Sequence, residues 1–550
     1  MKDFSKEIKA YALRNALEFG KAEAGRILPK LFNHGLDKKD IKNIMPKIME
    51  IVDEVNSYDS EKMQRELHDL KGIVKEAEKK EEGLPELENA VMRKVITRLA
   101  PEPSKYSHIG HALIFMIQYL YAKKYNGKCI LRFDDTNPEK SAKEYYDAIK
   151  EDLAWLGIKW DAEIIASDEM EKYYELAEKL INNKNAYVCK CSQEDIKKLR
   201  EKMKVCKCRS NSAAENLREW KNMLNRKYGE GERTLRLKGD MKSNNGVMRD
   251  PVIFRISHAK HFMQGDKYAV WPTYDFENPV EDALNGITHV IRSKEFELRA
   301  ELHEYILKLL KLKMPIVREI GRYEITGAET QGRIIREMIE KKKVRGWDDP
   351  RLVTIKALRR RGFVPKMFEE LAQTVGLSKS SGHIDPNVLA AVNRKIIDPI
   401  ANRYSFVKSP VELKGLKMPK IEKVEVPIHP DKTEKREIKI GKKIFISDDD
   451  AKKFKGEDVR LLHLFNVKLG VGGKAKFLSE ELLDIQKINW VSDGIDVKIL
   501  MPDGKWVSGV AERAIENLGE GDIIQFERFG FCRFDKVDEK VAYEFWFSHK

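Results

Sequence analysis

Two histidines three residues apart, His108 and His111, stand beside Gly110 in the stretch Ala100-Pro101-Glu102-Pro103-Ser104-Lys105-Tyr106-Ser107-His108-Ile109-Gly110-His111. The stretch follows a β-type run (94–99) and precedes an apolar helical run (112–122), so it reads as strand, turn and helix start. Two prolines stiffen the turn, and the free amides and positive dipole of a new helix suit an anionic phosphate. Gly110 permits close approach, and two imidazoles on one helix face could donate hydrogen bonds to charge developing on that phosphate. The competing reading is a turn with two surface histidines. Elsewhere, Arg292 ends the apolar strand-like run His289-Val290-Ile291-Arg292 and needs an anion there, either a ligand carboxylate or a structural one. Asp134 and Asp135 open Asp134-Asp135-Thr136, which fits a helix cap as readily as a ligand contact. Cys189-Lys190-Cys191 is followed after fourteen residues by Cys206-Lys207-Cys208. Those four thiols fit a structural tetrahedral zinc and, equally, four reduced cysteines in a basic hairpin.

The elements that must position these groups alternate from residue 91. We expect strands at 95–99 and 128–133, helices at 112–125 and 142–156, and a further strand near 163–166. This alternation argues for a parallel sheet with helical crossovers, in which ligands collect at the carboxyl ends of the strands. Asp134 falls at one such end. Residues 1–90 carry apolar positions at helical spacing (8–19 and 41–55) around the turn Asn33-His34-Gly35, which predicts a small helical bundle, and 71–85 reads as a charged helix end plus linker. Helical periodicity returns over 334–396. From 405 onward short β-type runs with turn signals suggest one or two β-barrels.

The turn motif resembles the HIGH signature of class I aminoacyl-tRNA synthetases, in the form used by the glutamyl and glutaminyl branch. Four other stretches resemble the same branch, in its order: Arg132-Phe133-Asp134-Asp135-Thr136-Asn137-Pro138-Glu139-Lys140, 268–278, 286–295 and Gly321-Arg322-Tyr323 through Trp347-Asp348-Asp349-Pro350-Arg351-Leu352. With 393–404 they extend the resemblance over almost the whole chain, and the glutamyl enzymes of archaeal and eukaryotic type are the nearest form. The resemblance implies a multidomain protein. Its parts would be a helical N-terminal domain (1–90), an α/β Rossmann-type catalytic domain (91–186 and 261–320), an acceptor-stem insertion with a zinc site (187–260), a helical stem-contact domain (321–404) and anticodon-binding β-barrels (405–550). It implies ATP with Mg2+, L-glutamate and the glutamate tRNA as substrates, the glutamine tRNA being left open, and Zn2+ on Cys189, Cys191, Cys206 and Cys208. Pro101, Glu102, Pro103, Ser104, His108, Gly110 and His111 would bind ATP. Asp134 would bind the α-ammonium of glutamate, Arg98 and Arg292 its carboxylates, and Tyr274 and Asn278 would close the pocket. Arg292 argues for glutamate over glutamine, since a bidentate guanidinium suits a carboxylate better than a carboxamide.

The sequence departs from this pattern in the second signature loop. Counting back from Trp347-Asp348-Asp349-Pro350 without gaps puts that loop at Glu329-Thr330-Gln331-Gly332-Arg333, so the expected lysine falls on Gly332. Leu377-Ser378-Lys379-Ser380-Ser381 spells something closer to the motif but comes too late in the chain, and reads as a helix-joining turn. In the first motif Lys105 stands where the family has glycine, and Ser107 where it has leucine. Lys105 and Arg333 are therefore the candidates to replace the missing charge.

The chain of 550 residues exceeds a single core, and its formal charge of +14 with 35% charged residues favours a polyanionic partner without requiring one. Six cysteines are too few for a disulfide scaffold, and no run approaches the roughly 18 apolar residues of a membrane span, so a cytoplasmic protein is expected. Two other functions compete with glutamate ligation: a tRNA-binding protein that has lost synthesis, suggested by Gly332, and a glutamine–tRNA ligase.

Overall fold

The computed structural model describes residues 3–37, 40–70, 72–73, 84–539 and 542–550. The chain divides into two units at Glu82 and Gly83. The linker expected over 71–85 lies mostly outside the described residues. In the first unit, helices Ser5–Phe19, Ala24–Leu31, Ile41–Asn56 and Ser60–Asp69 bury one apolar core that includes Ile8, Leu13, Ile27, Ile48 and Val55. Gly20, at φ 81°, ends the first helix in the left-handed conformation that glycine adopts without strain. The expected boundary at 90 is too late. Leu87 is buried in the core of the second unit, and Leu84 and Ala90 pack against it.

The second unit is built around parallel strands Ile96–Leu99, Lys128–Phe133 and Ala162–Ile165. A second parallel pair, His289–Ser293 with Ile316–Ile320, continues the layer, for the Thr288 N–H donates to the Ile96 carbonyl at 3.0 Å. Helix Ile109–Lys124 is apolar nearly all round and buries Leu113, Ile117 and Tyr121. That is the pattern of a helix sandwiched between layers rather than laid on a surface. The carboxyl ends of Ile96–Leu99, Lys128–Phe133 and His289–Ser293 open on one side, where Ala100, Asp134 and Ser293 meet a common cavity.

Inserted after the third strand is a four-stranded antiparallel sheet of Ala186–Cys189, Thr234–Leu237, Val252–Ile256 and Val270–Pro272. Its last strand lies beyond the expected limit of 260, because that strand is both the edge of this sheet and the lead into the cavity helix Tyr274–Leu284. Helices Gly332–Glu340, Ile355–Arg360, Pro365–Val375 and Pro386–Ile397 follow. Leu377–Ser381 falls in the connection between the last two of these.

Beyond residue 400 the regular elements are nearly all strands, with one short α-helix, Asp448–Lys453, among them. Seven pair in one sheet whose two edges, Arg403–Tyr404 and Phe406–Lys408, are halves of a single extended stretch, so the sheet closes on itself through Ser405. Arg360 ties the helices to this sheet by donating to both carboxylate oxygens of Asp535, at 2.9 and 2.7 Å, and to Asp348 at 2.6 Å. Among the described residues no helix is long and apolar enough to cross a membrane.

Candidate active site

His108 is the N-cap of helix Ile109–Lys124, with extended backbone angles of −116° and 173°, and is not on the helix itself. The expectation of two imidazoles on one helix face is corrected accordingly. The Gly110 N–H donates to Nδ1 of His108 (3.1 Å), and the His108 N–H donates to Nδ1 of His111 (3.2 Å). Two amides that a helix start leaves orphaned are satisfied in this way. Because both Nδ1 atoms accept, each ring carries its proton on Nε2. The rings lie 3.9 Å apart. Burial, with the neighbouring Lys105 charge, lowers the pKa of His111 to about 3, and burial, with the adjacent His111 ring and the Lys105 charge, holds His108 well below the usual imidazole range. Both are therefore neutral hydrogen-bond donors rather than cations. A Cβ at position 110 would stand 3.0 Å from the His108 ring and 3.2 Å from the Tyr323 carbonyl, so any larger residue would push on the ring and the carbonyl by a few tenths of an ångström.

A cavity of about 690 Å³ runs from this turn to helix Tyr274–Leu284. Of the residues expected to bind ATP, Pro101, Glu102, Ser104 and His111 line it. Pro103, His108 and Gly110 flank it: the Pro103 carbonyl accepts from the Ala142 N–H, and His108 and Gly110 hold the helix start. All five residues expected to bind the amino acid line the same cavity, namely Arg98, Asp134, Tyr274, Asn278 and Arg292. Lys105 lines it as well. Arg333 does not: it is exposed on helix Gly332–Glu340.

Around helix Tyr274–Leu284 the charges interlock. Arg132, wholly buried, donates from Nε to Asp134 (2.6 Å) and from Nη1 to Asp282 (2.7 Å). Arg98 donates from Nε to the same Asp282 oxygen at 3.0 Å, and Asn278 donates to Asp134 at 2.9 Å. Burial alone would raise Asp282, yet the charges of Arg98 and Arg132 outweigh it and hold its carboxyl below the usual range. Burial and the Asp134 charge push Glu277 well above that range, so this carboxyl is protonated. Two guanidiniums therefore face two carboxylates and a neutral acid. Arg292 meets Glu319 at 3.4 Å and His303 at 3.1 Å, which supplies the structural carboxylate. It nonetheless lines the cavity, and its buried Nε has no partner among the described residues.

Sequence reasoning passed over Arg132, Glu277 and Asp282. The signal was available: Tyr274, Glu277, Asn278, Glu281 and Asp282 recur at positions 1, 4, 5, 8 and 9 of helix Tyr274–Leu284 and form a polar stripe on an element that is otherwise buried.

Cys189, Cys191, Cys206 and Cys208 are brought together, their sulfurs all within 4.8 Å of one another and none of them disulfide-bonded. The 3.8 Å between Cys189 and Cys206 matches the edge of a tetrahedron with metal–sulfur bonds of about 2.3 Å. Buried Arg236 points Nη1 at both sulfurs (3.8 and 3.7 Å), a cation placed to offset thiolate charge.

Comparison with known proteins agrees with this layout. Residues 94–399 match the family of class I tRNA synthetases (E and Q), catalytic domain, and residues 401–478 and 484–535 match two anticodon-binding domain families of the same class. Proteins named glutamate–tRNA ligase are similar along the full length. That of Pyrococcus furiosus is 40% identical over 96% of both chains, that of Korarchaeum cryptofilum 38% over 98% of both, and that of Nitrosopumilus maritimus 40% over 99% of both.

Proposed function

The chain belongs to the class I tRNA synthetases of the glutamate and glutamine branch, and we propose that it joins L-glutamate to the 3′ end of a tRNA through a glutamyl-adenylate. The observation that carries this reading is one cavity with neutral imidazoles at a helix start on one side and an interlocked guanidinium–carboxylate set on the other. An oxygen of the glutamate α-carboxylate attacks the α-phosphorus of ATP. The bond from that phosphorus to the β-phosphate oxygen breaks, and pyrophosphate leaves with the electron pair. The 2′-hydroxyl of the terminal tRNA ribose then attacks the acyl carbon, AMP leaves, and the hydroxyl proton is released. Mg2+ accompanies ATP and offsets phosphate charge.

The protein's share is positional and electrostatic. His108 and His111 offer Nε2–H donors to the phosphates, beside a wall made by Pro101, Glu102, Pro103, Ser104 and Gly110. Asp134 receives the α-ammonium. Arg98, with its Nη groups not taken by Asp282, and Arg292, with its unpartnered Nε, receive carboxylates, and Tyr274 and Asn278 fix the pocket floor. An unpartnered guanidinium nitrogen rejects the carboxamide of glutamine less by repulsion than by the loss of a charge-assisted bond. The four cysteines would hold Zn2+, which cross-links their two pairs and stiffens the inserted sheet against the acceptor stem. The strands beyond residue 400 would carry the anticodon arm.

Pyrophosphate exchange with ATP, run with glutamate or glutamine and with or without tRNA, tests this. Exchange that depends on glutamate is expected. Exchange with neither amino acid would return the chain to a tRNA-binding role, and a preference for glutamine would make it the other ligase. Charging of separate glutamate and glutamine tRNA transcripts then sets the range of acceptors.

A further inference from the structure

Four cations lie on or near the motif turn and helix Gly332–Glu340, and three are occupied or turned away. Arg322 is held by Glu295 (3.1 Å) and Glu324 (2.9 Å). Arg336 donates to the Ser104 carbonyl at 3.0 Å, which pins helix Gly332–Glu340 to the turn that carries the histidines. Arg333 is exposed on that helix and does not reach the cavity. Lys105 is the exception. It is half-buried, lines the cavity beside His111, and its ammonium has no hydrogen bond or ion pair among the described residues.

What gives Lys105 its place is the glycine across from it. A Cβ built at position 332 would stand 3.0 Å from Cδ and 3.1 Å from Cβ of Lys105. The lysine stem therefore crowds the space that a side chain at 332 would enter, and a side chain there would need that stem to give by a few tenths of an ångström. Position 332 is also where the second signature loop would have supplied a lysine, and position 105 is where the first motif would have had a glycine. The two departures are one exchange.

We infer that Lys105 is a catalytic residue of adenylate formation, supplying from the first motif the ammonium that the second loop lacks, and that Gly332 is the vacancy which lets it do so. As the bond between the α-phosphorus and the bridging oxygen breaks, negative charge gathers on the departing pyrophosphate, and the Lys105 ammonium meets it next to the two neutral imidazoles. The same geometry takes Arg333 out of consideration. Burial lowers the pKa of Lys105, and the charges of Glu102 and Glu295, neither of them in hydrogen-bond or ion-pair contact with it, offset part of that shift.

This inference rests on the glutamate-ligase reading, and one set of measurements separates them. Glutamyl-adenylate formation is followed in single turnovers, with tRNA present, for the wild type, Lys105→Ala, Arg333→Ala, Lys105→Gly, Gly332→Lys and the exchanged double variant Lys105→Gly/Gly332→Lys. Lys105→Ala is expected to lower the rate by about 10²- to 10³-fold, with the glutamate KM within about threefold of wild type. Arg333→Ala stays within about threefold. Gly332→Lys alone is slow because its side chain crowds the Lys105 stem. The exchanged double variant recovers at least about tenfold over Lys105→Gly, a rescue that a merely structural role for Lys105 would not give. Binding of tRNA at wild-type strength certifies that each variant is folded. A Lys105→Ala enzyme within about threefold of wild type, an Arg333→Ala loss as large as that of Lys105→Ala, or an exchanged variant no faster than Lys105→Gly would each overturn the inference. A wild-type protein without glutamate-dependent turnover would instead overturn the reading on which it rests.

Discussion

The two ends of the cavity are built on opposite principles. At the amino-acid end every formal charge is matched: Arg98 and Arg132 share Asp282, Arg132 and Asn278 hold Asp134, and Glu277 stays neutral. At the phosphate end the histidines are uncharged, and the one ammonium that faces the cavity from the turn is unpaired. The difference follows the chemistry. Glutamate arrives with its charges already formed, so recognition needs a fixed array, and a fixed array of buried charges is stable only when it is closed. Charge on pyrophosphate appears during the reaction, so stabilisation there must be withheld until the transition state. A pre-paired cation would have spent its interaction too early.

The comparison is put to its hardest test at Arg132. Arg132→Met removes the guanidinium that separates Asp134 from Asp282 and leaves two buried carboxylates short of a cation. We expect a loss of about 3–5 kcal/mol in denaturant unfolding, together with loss of glutamate-dependent exchange. Lys105→Ala, at the other end, should leave the unfolding midpoint nearly unmoved while slowing adenylation. If Arg132→Met unfolded at the wild-type midpoint, the closed array would not be a structural unit.

A finer probe is Glu277, whose acid is read as protonated although it sits one helical turn from the pocket residue Tyr274. Glu277→Gln keeps shape and neutrality, so the glutamate KM should change by less than about threefold, while Glu277→Asp, which shortens the arm beside Asp134, should raise it by about tenfold. A large loss in the glutamine variant would mean that the carboxylate form of Glu277 is needed, and the count of two cations against two anions would fail.

That these residues gather at one cavity was legible in the sequence, because short strings such as His108-Ile109-Gly110-His111 and Arg132–Lys140 combine turn chemistry with an order along the chain that chance does not reproduce. What escaped was the matching of charge to charge across distance. Arg132 and Asp282 lie 150 residues apart, and no local pattern says that they meet. The polar stripe on helix Tyr274–Leu284 was written in helical spacing, but it points inward, opposite to the usual sense of such stripes. His108 was misplaced by a single position, since periodicity does not tell an N-cap from the first helical residue. The link between Lys105 and Gly332 needed the fold, for only the packing of helix Gly332–Glu340 against the motif turn shows that two separate departures occupy one space.

The smallest effect concerns protons at the imidazole end. Folding lowers the pKa of His111 from 6.5 to about 3, so between those values the unfolded chain binds a proton that the folded chain refuses. Its contribution to stability is complete above 6.5 and is lost progressively as the pH falls toward 3. His108 adds in the same direction, as does His549, which burial lowers to about 4. Unfolding free energies measured at about pH 7.5 and about pH 5 should therefore decrease on acidification, and His111→Gln should shrink that decrease without reversing it. Adenylation by the folded enzyme should show no step of its own near 6.5 over the same interval, because neither ring changes charge. A step that disappears in His111→Gln would mean that the imidazoles act as cations, and the phosphate end would then be charged before the substrate arrives, as the amino-acid end is.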